Sequence, residues 1–196
     1  MFKIIYPQSD ATLYESSPTT NTGLDEILEV GKRLSTAGDS YLKSRSVIKF
    51  DMADVTSALT KYGVSLDDCK FVLQLYTTNA KNLPANYTID AKLVGDDWTN
   101  GTGYFNLTTA VKDGITWDNP KSGSFNWTSG SQYVAVPSGS ASSIYISGSG
   151  EGGSWLYQSG SGIYSGSFTF YSQSFFTQPG LDLSEDFNYR PTDLNI

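Results

Sequence analysis

The sequence predicts an all-β protein, an antiparallel β-sandwich of jelly-roll type with one short helix near residues 52–62. Three observations carry that expectation. Charged residues make up 17% of the chain and aromatics 14%, a balance that favours half-buried pleated surfaces over charged helix faces. Apolar residues alternate with polar ones over short runs in the first half. Gly, Asn, Pro and Ser punctuate those runs at close intervals, as turns between strands require. With 196 residues there is enough chain to bury a core. The expected organisation is one sandwich domain over 1–178, then an extended arm, or a link into further strands, over 179–196.

Residues 2–6 (FKIIY) read as an opening strand that Pro7 ends by withholding an amide proton. A strand at 11–14 (ATLY) follows, then a turn-rich link from Ser16 to Gly23. Residues 26–30 (EILEV) set Ile27 against Glu29 and fit a half-buried strand closed by Gly31. The polar stretch 32–44, with Gly38-Asp39 in it, reads as a loop. Residues 45–51 (RSVIKFD) alternate as a strand. Only 52–62 departs from this pattern. Val55, Ala58, Leu59 and Tyr62 recur at spacings of three and four, with Asp51 or Asp54 as N-cap and Gly63 as stop, so a short helix is expected.

Two strong strands come next, at 70–77 (KFVLQLYT) and 87–94 (YTIDAKLV), with a Pro84-containing loop between them. From Gly95 the text is turn-rich, with an Asn100-Gly101 turn signal beside Trp98 and a second tryptophan, Trp117, between turns. Residues 138–167 hold 19 Ser or Gly in 30, yet they are interrupted by Ile144, Tyr145, Trp155, Tyr157 and Tyr164. A disordered linker lacks such aromatics, so short strands joined by Ser/Gly turns are expected there, extended by 168–171 (FTFY) and 174–176 (SFF). The spacing shows no fixed period, which disfavours a solenoid or propeller.

Composition then removes whole classes of function. The formal charge of −7 argues against duplex nucleic acid or an anionic membrane as partner, because both reward basic patches. With no histidine, no Ser-His-Asp or Cys-His mechanism and no His-ligated metal can be built. One cysteine, Cys69, excludes an internal disulfide or a cysteine zinc site and reads as a small buried residue. No apolar run approaches the roughly 18 residues of a membrane span. The N-terminus carries no signal-peptide pattern, so synthesis in the cytoplasm is expected.

Candidate chemistry is sparse. Asp25-Glu26, Asp67-Asp68 and Asp96-Asp97 are adjacent pairs, and neighbours on a strand point to opposite faces, so none is a glycosidase dyad. No Asp-x-Asp-x-Asp-Gly calcium loop is present, and neither a metal nor a cofactor is expected. Gly148–Gly153 (GSGEGG) lacks the Lys-Ser/Thr of a phosphate loop and reads as a flexible turn. The Asn-x-Ser/Thr sequons at Asn86, Asn100, Asn106 and Asn126 arise easily in a chain so rich in Ser and Thr. Trp98 and Trp117 offer flat faces for a sugar ring, or else are core tryptophans that anchor turns. Trp127 and Trp155, joined by Tyr133, Tyr145, Tyr157 and Tyr164, are the better candidates for a contact surface, since Tyr and Trp dominate interface hot spots.

Several segments, in order, carry a family resemblance: Ser9-Asp10-Ala11-Thr12-Leu13-Tyr14-Glu15, Asn21-Thr22-Gly23, Glu26-Ile27-Leu28-Glu29-Val30-Gly31, the arginine-led Arg45-Ser46-Val47-Ile48-Lys49-Phe50-Asp51, Val94-Gly95-Asp96-Asp97-Trp98-Thr99-Asn100-Gly101-Thr102-Gly103, and Gly114-Ile115-Thr116-Trp117-Asp118-Asn119-Pro120. Across 9–120 the chain resembles the DNRLRE-type domain, a jelly-roll sandwich related to carbohydrate-binding modules, in the variant found in virion structural proteins of tailed bacteriophages. The resemblance implies that Trp98 and Trp117 are fold markers. It also implies a non-enzymatic part of a virion (tail, baseplate, neck or head fibre) whose partners are other virion proteins and copies of itself. A carbohydrate-binding module that recognises a bacterial surface glycan is the alternative. The family's closing Val-Thr-Asp-Ile-like segment has no counterpart before Ile196, so the chain is expected to continue beyond it.

Overall fold

A computed structural model of the chain describes residues 2–76, 86–92, 94–123, 126–128, 130–135, 141–147, 152–158, 171–176 and 191–195. Strands β1 (Ser9–Tyr14), β2 (Gly31–Leu34) and β3 (Tyr41–Lys49) precede helix α1 (Met52–Tyr62). After a 3-10 turn at Leu66–Asp68 come β4 (Val72–Tyr76), β5 (Asn86–Ala91), β6 (Gly130–Ala135), β7 (Ala141–Ser147), β8 (Trp155–Gln158), β9 (Tyr171–Phe176) and β10 (Pro191–Asn195). Each of these strands is paired antiparallel, so the described residues are mostly strand with one short helix, an all-β arrangement. Among the described residues no helix is long and apolar enough to cross a membrane.

Where the sequence predicts one domain over 1–178, the chain forms two compact units interleaved along it: Met1–Gly63 with Val94–Gly160, and Val64–Leu93 with Ser161–Ile196. The second unit pairs β4 with β10 and β5 with β9. Residues 191–195, expected within an extended arm, are thus a strand in register with β4. Pro191 stands first in that strand, where its missing N–H is tolerated. Of the segments expected at 168–171 and 174–176, Tyr171 and residues 174–176 lie in the single strand β9, and 168–170 lie outside the described residues.

The first unit carries the sheets β1-β3-β2 and β6-β7-β8. Helix α1 covers the predicted span. Its N-cap is Asp51, whose Oδ1 accepts the Ala53 amide at 2.8 Å, and Asp54 lies in the first turn, where an acid suits the helix dipole. Gly63 ends it with φ of 62° and donates its N–H to the Thr60 carbonyl. Two sequence expectations change here. Residues 32–44 are not a loop but most of a hairpin, β2 and β3 joined through Ser35–Ser40, with Gly38 at φ of 75°. Residues 26–30 are not a strand, because the Glu29 main chain bonds side chains instead of a ladder: its amide donates to Thr12 Oγ1 and its carbonyl accepts from Ser46 Oγ. Among the described residues, 2–6 likewise form no strand.

Period-two alternation sorts β1 and β3 into two faces. Ala11, Leu13 and Val47 enter a core with Trp98, Ile115, Trp117, Trp127 and Trp155, and Val94 packs against it. The other face is covered by its own chain: Tyr14 lies on Phe105, with ring centroids 4.1 Å apart. Burial, and then the charges of Glu29 and Asp25, push the Tyr14 phenol well above its usual range, so it stays neutral.

Candidate functional site

The inward face of β3 carries Arg45, Val47 and Lys49 at alternate positions, and each cation meets indole. The Arg45 guanidinium carbon is 5.4 Å from the Trp117 ring centroid and 5.2 Å from that of Trp155. Lys49 Nζ is 5.9 Å from the Trp98 centroid and 2.7 Å from Asp97 Oδ1. Such contacts are each worth about 0.5–2 kcal/mol, more as water is excluded. They also occupy faces of the three rings, the surfaces a sugar would need.

This corrects the expected contact surface. Trp127 is 2% exposed and Trp155 9%, so both belong to the core. Trp127 donates Nε1–H to the Thr116 carbonyl at 3.2 Å, as a buried indole must to satisfy its one donor. Trp98 and Trp117 are buried with them. Tyr133, Tyr145 and Tyr157 lie in β6, β7 and β8, where Tyr145 and Tyr157 are register partners, but their side chains fall outside the described set. Tyr164 lies outside the described residues altogether. Gly152 and Gly153, expected in a flexible turn, are buried against the rings of Trp117 and Trp155.

The turns that hold the tryptophans converge on Asn21, which is fully buried. Its Nδ2 donates to the carbonyls of Asn100 and Ile115, both at 2.7 Å. Its Oδ1 accepts the amides of Gly23 at 3.2 Å and Gly103 at 2.8 Å. All four hydrogen-bonding positions of the amide are therefore filled. Asn100 returns a bond from Nδ2 to the Gly23 carbonyl, so two asparagines tie the 21–23 and 100–103 turns together. Glycine is required at 103 because a Cβ there would lie 2.2 Å from the Asn21 carbonyl oxygen.

Asp96 fastens a second junction. Its Oδ2 accepts the Thr128 amide at 2.7 Å and Ser154 Oγ at 2.6 Å. Partial burial pushes its carboxyl up, but the bonds from Ser154 and Thr128 outweigh burial and hold its pKa below the usual carboxylate range. A depressed carboxylate contributes stability that is present above its unfolded pKa of about 3.9 and is lost as pH falls through the folded value. Asp96→Asn should therefore lower the urea midpoint at pH 7 and flatten its fall below about pH 4. An unchanged acid slope would show that Asp96 is not among the groups whose protonation loosens the fold.

Among the described residues no three Cys, Asp or Glu side chains gather as a metal site. The neighbouring acids instead part company: Asp96 bonds Thr128 and Ser154, while Asp97 pairs with Lys49, which holds its carboxyl below the usual range. What the first unit does present is apolar side chains beside β2, which among the described residues pairs only with β3. Tyr41 is 66% exposed and Leu34 55%, and Val30 and Ile27 stand exposed just before β2. These side chains lie outside the Ser/Gly-rich half, where the sequence predicts the contact surface. The signal lay in Leu34 and Tyr41 flanking the Gly38-Asp39 turn, which pairs them across a hairpin.

No protein-family model, curated protein or solved structure matches the chain.

Proposed function

We propose that the chain is a non-enzymatic structural component of a tailed-phage virion, a jelly-roll β-sandwich that docks on neighbouring subunits in the tail, baseplate, neck or head fibre. The observation that carries the docking is the contrast in the first unit. Its tryptophans are buried, three of them against the chain's own cations, while the register partners Leu34 and Tyr41, with Val30 just before β2, stand exposed at an edge strand. Apolar side chains grouped in this way fit a surface that another subunit covers. The assignment to a phage particle, and the sandwich topology, rest on the resemblance of the segments across 9–120.

Mass spectrometry of phage particles purified from the source of the sequence tests this reading. The expected result is the protein at structural copy number. Absence from particles, with the protein in the culture medium, would overturn it and bring binding to a bacterial surface glycan to the front.

A further inference from the structure

The sheet β1-β3-β2 has two edges, and the chain treats them differently. Along β1, the outward main chain of Thr12 is closed by one side chain: Thr22 Oγ1 accepts the Thr12 amide at 3.0 Å and donates to the Thr12 carbonyl at 2.5 Å. A hydroxyl stands in for a neighbouring strand, which is one way to blunt an edge. Along β2, all four residues are exposed.

Register identifies what that second edge offers. The hairpin closes with Ser35 N–H donating to the Ser40 carbonyl, and antiparallel bonding alternates from there. Arg33 and Gly31 therefore bond to Leu42 and Ser44, while Lys32 and Leu34 turn their N–H and C=O groups away from β3. The opposite side of β3 agrees, since the Lys43 carbonyl is used by the Glu15 amide on the β1 side.

Three cations, Lys32, Arg33 and Lys43, stand along this edge, with the Glu15 carboxylate on the Lys43 amide and Asp39 in the turn. Lys32 stands directly opposite Lys43, in the non-hydrogen-bonded type of pair that brings side chains closest, and Arg33 projects from the other face of the same strand. Like charges so placed oppose pairing within the hairpin. A single lysine suffices to keep an edge from aggregating. Two facing lysines with an arginine beside them, in a chain of net charge −7, form a local positive site flanked by the exposed Leu34 and Tyr41.

We propose that β2 is a docking strand that accepts an extended acidic polypeptide segment of a partner protein as a fourth strand of this sheet. Main-chain bonds to Lys32 and Leu34 would supply pairing, carboxylates would neutralise Lys32, Arg33 and Lys43, and alternate apolar residues would meet Leu34 and Tyr41. This inference deepens the docking reading above and rests on it for the identity of the partner as a protein.

The test uses the full chain and two short labelled peptides, one of alternating glutamate and valine, the other of alternating lysine and valine, with binding followed by fluorescence anisotropy. The glutamate peptide should bind at least about tenfold more tightly than the lysine peptide, and added salt should weaken it. Lys32→Glu/Arg33→Glu should reverse the preference. Leu34→Pro removes an outward N–H without touching the hairpin bonds and should weaken the glutamate peptide about tenfold, with circular dichroism checking that the fold is kept. Binding of neither peptide, or equal binding of both, would mean that the lysines only guard the edge. An unchanged preference in the double variant would equally overturn the proposal, whether or not Leu34→Pro folds. A protein found in phage particles that ignores the glutamate peptide would keep the virion reading and discard this one.

Discussion

Asn21→Leu should lower the stability of the first unit by about 4 kcal/mol or more, although leucine keeps the branched shape of asparagine. The substitution leaves the carbonyls of Asn100 and Ile115 and the amides of Gly23 and Gly103 without their partner. A buried polar group so orphaned costs about 1–3 kcal/mol, and a side chain of the same volume leaves no room for water to replace the amide. For a chain of this size the melting temperature should fall by roughly 10 °C or more. Thr22→Val provides a scale, since it removes one hydroxyl that serves only the Thr12 main chain. If Asn21→Leu and Thr22→Val cost the same, the turns are held by packing and the asparagine is not their centre.

Gly152→Ala should cost about 3 kcal/mol, and Gly38→Ala only about 1 kcal/mol, the usual penalty for an L-residue in left-handed backbone. Both glycines have positive φ, 64° and 75°. They differ in what a methyl group meets. At Gly38 nothing lies within 4 Å, whereas at Gly152 the added Cβ would fall 2.5 Å from Cε3 and Cζ3 of Trp117. That ring is 2% exposed and stacked on Arg45, so it has little freedom to retreat. The difference between the two variants isolates the ring contact from the backbone term. Near-ultraviolet circular dichroism should change for Gly152→Ala and not for Gly38→Ala. Equal costs would mean that the loop at 152–153 moves aside and does not define the tryptophan's position.

Local physics was readable wherever it acted alone. Helix α1 followed from spacings of three and four with a capping aspartate and a terminal glycine, because caps and periodicity are written in neighbouring residues, even where packing must hold so short a helix. Strands β1 and β3 were partly readable because alternation marks one buried face. The same signal misled at 26–30, where Ile27 and Glu29 alternate but the main chain is engaged by Thr12 and Ser46 side chains. It was silent at Gly31–Leu34, a polar segment made a strand by its partner Tyr41–Ser44. The aromatic reading failed for a related reason: no spacing in the sequence reveals that Arg45 and Lys49 reach three tryptophans, one of them 110 positions away from Arg45.

By itself, then, the sequence determined the β-rich class of the described residues, helix α1 and its ends, and the absence of histidine-based chemistry, since these depend on composition and short-range periodicity. Tertiary structure decided that Thr22 closes the β1 edge while the β2 residues stand exposed, and whether each indole faces core or solvent. It also decided that Asn21, one polar residue in a turn, binds two distant segments, the 100–103 turn and Ile115. The physical reason is that exposure and hydrogen-bond partnership are properties of residue pairs. Pairs separated by about 80 to 110 positions are joined only when the chain has folded.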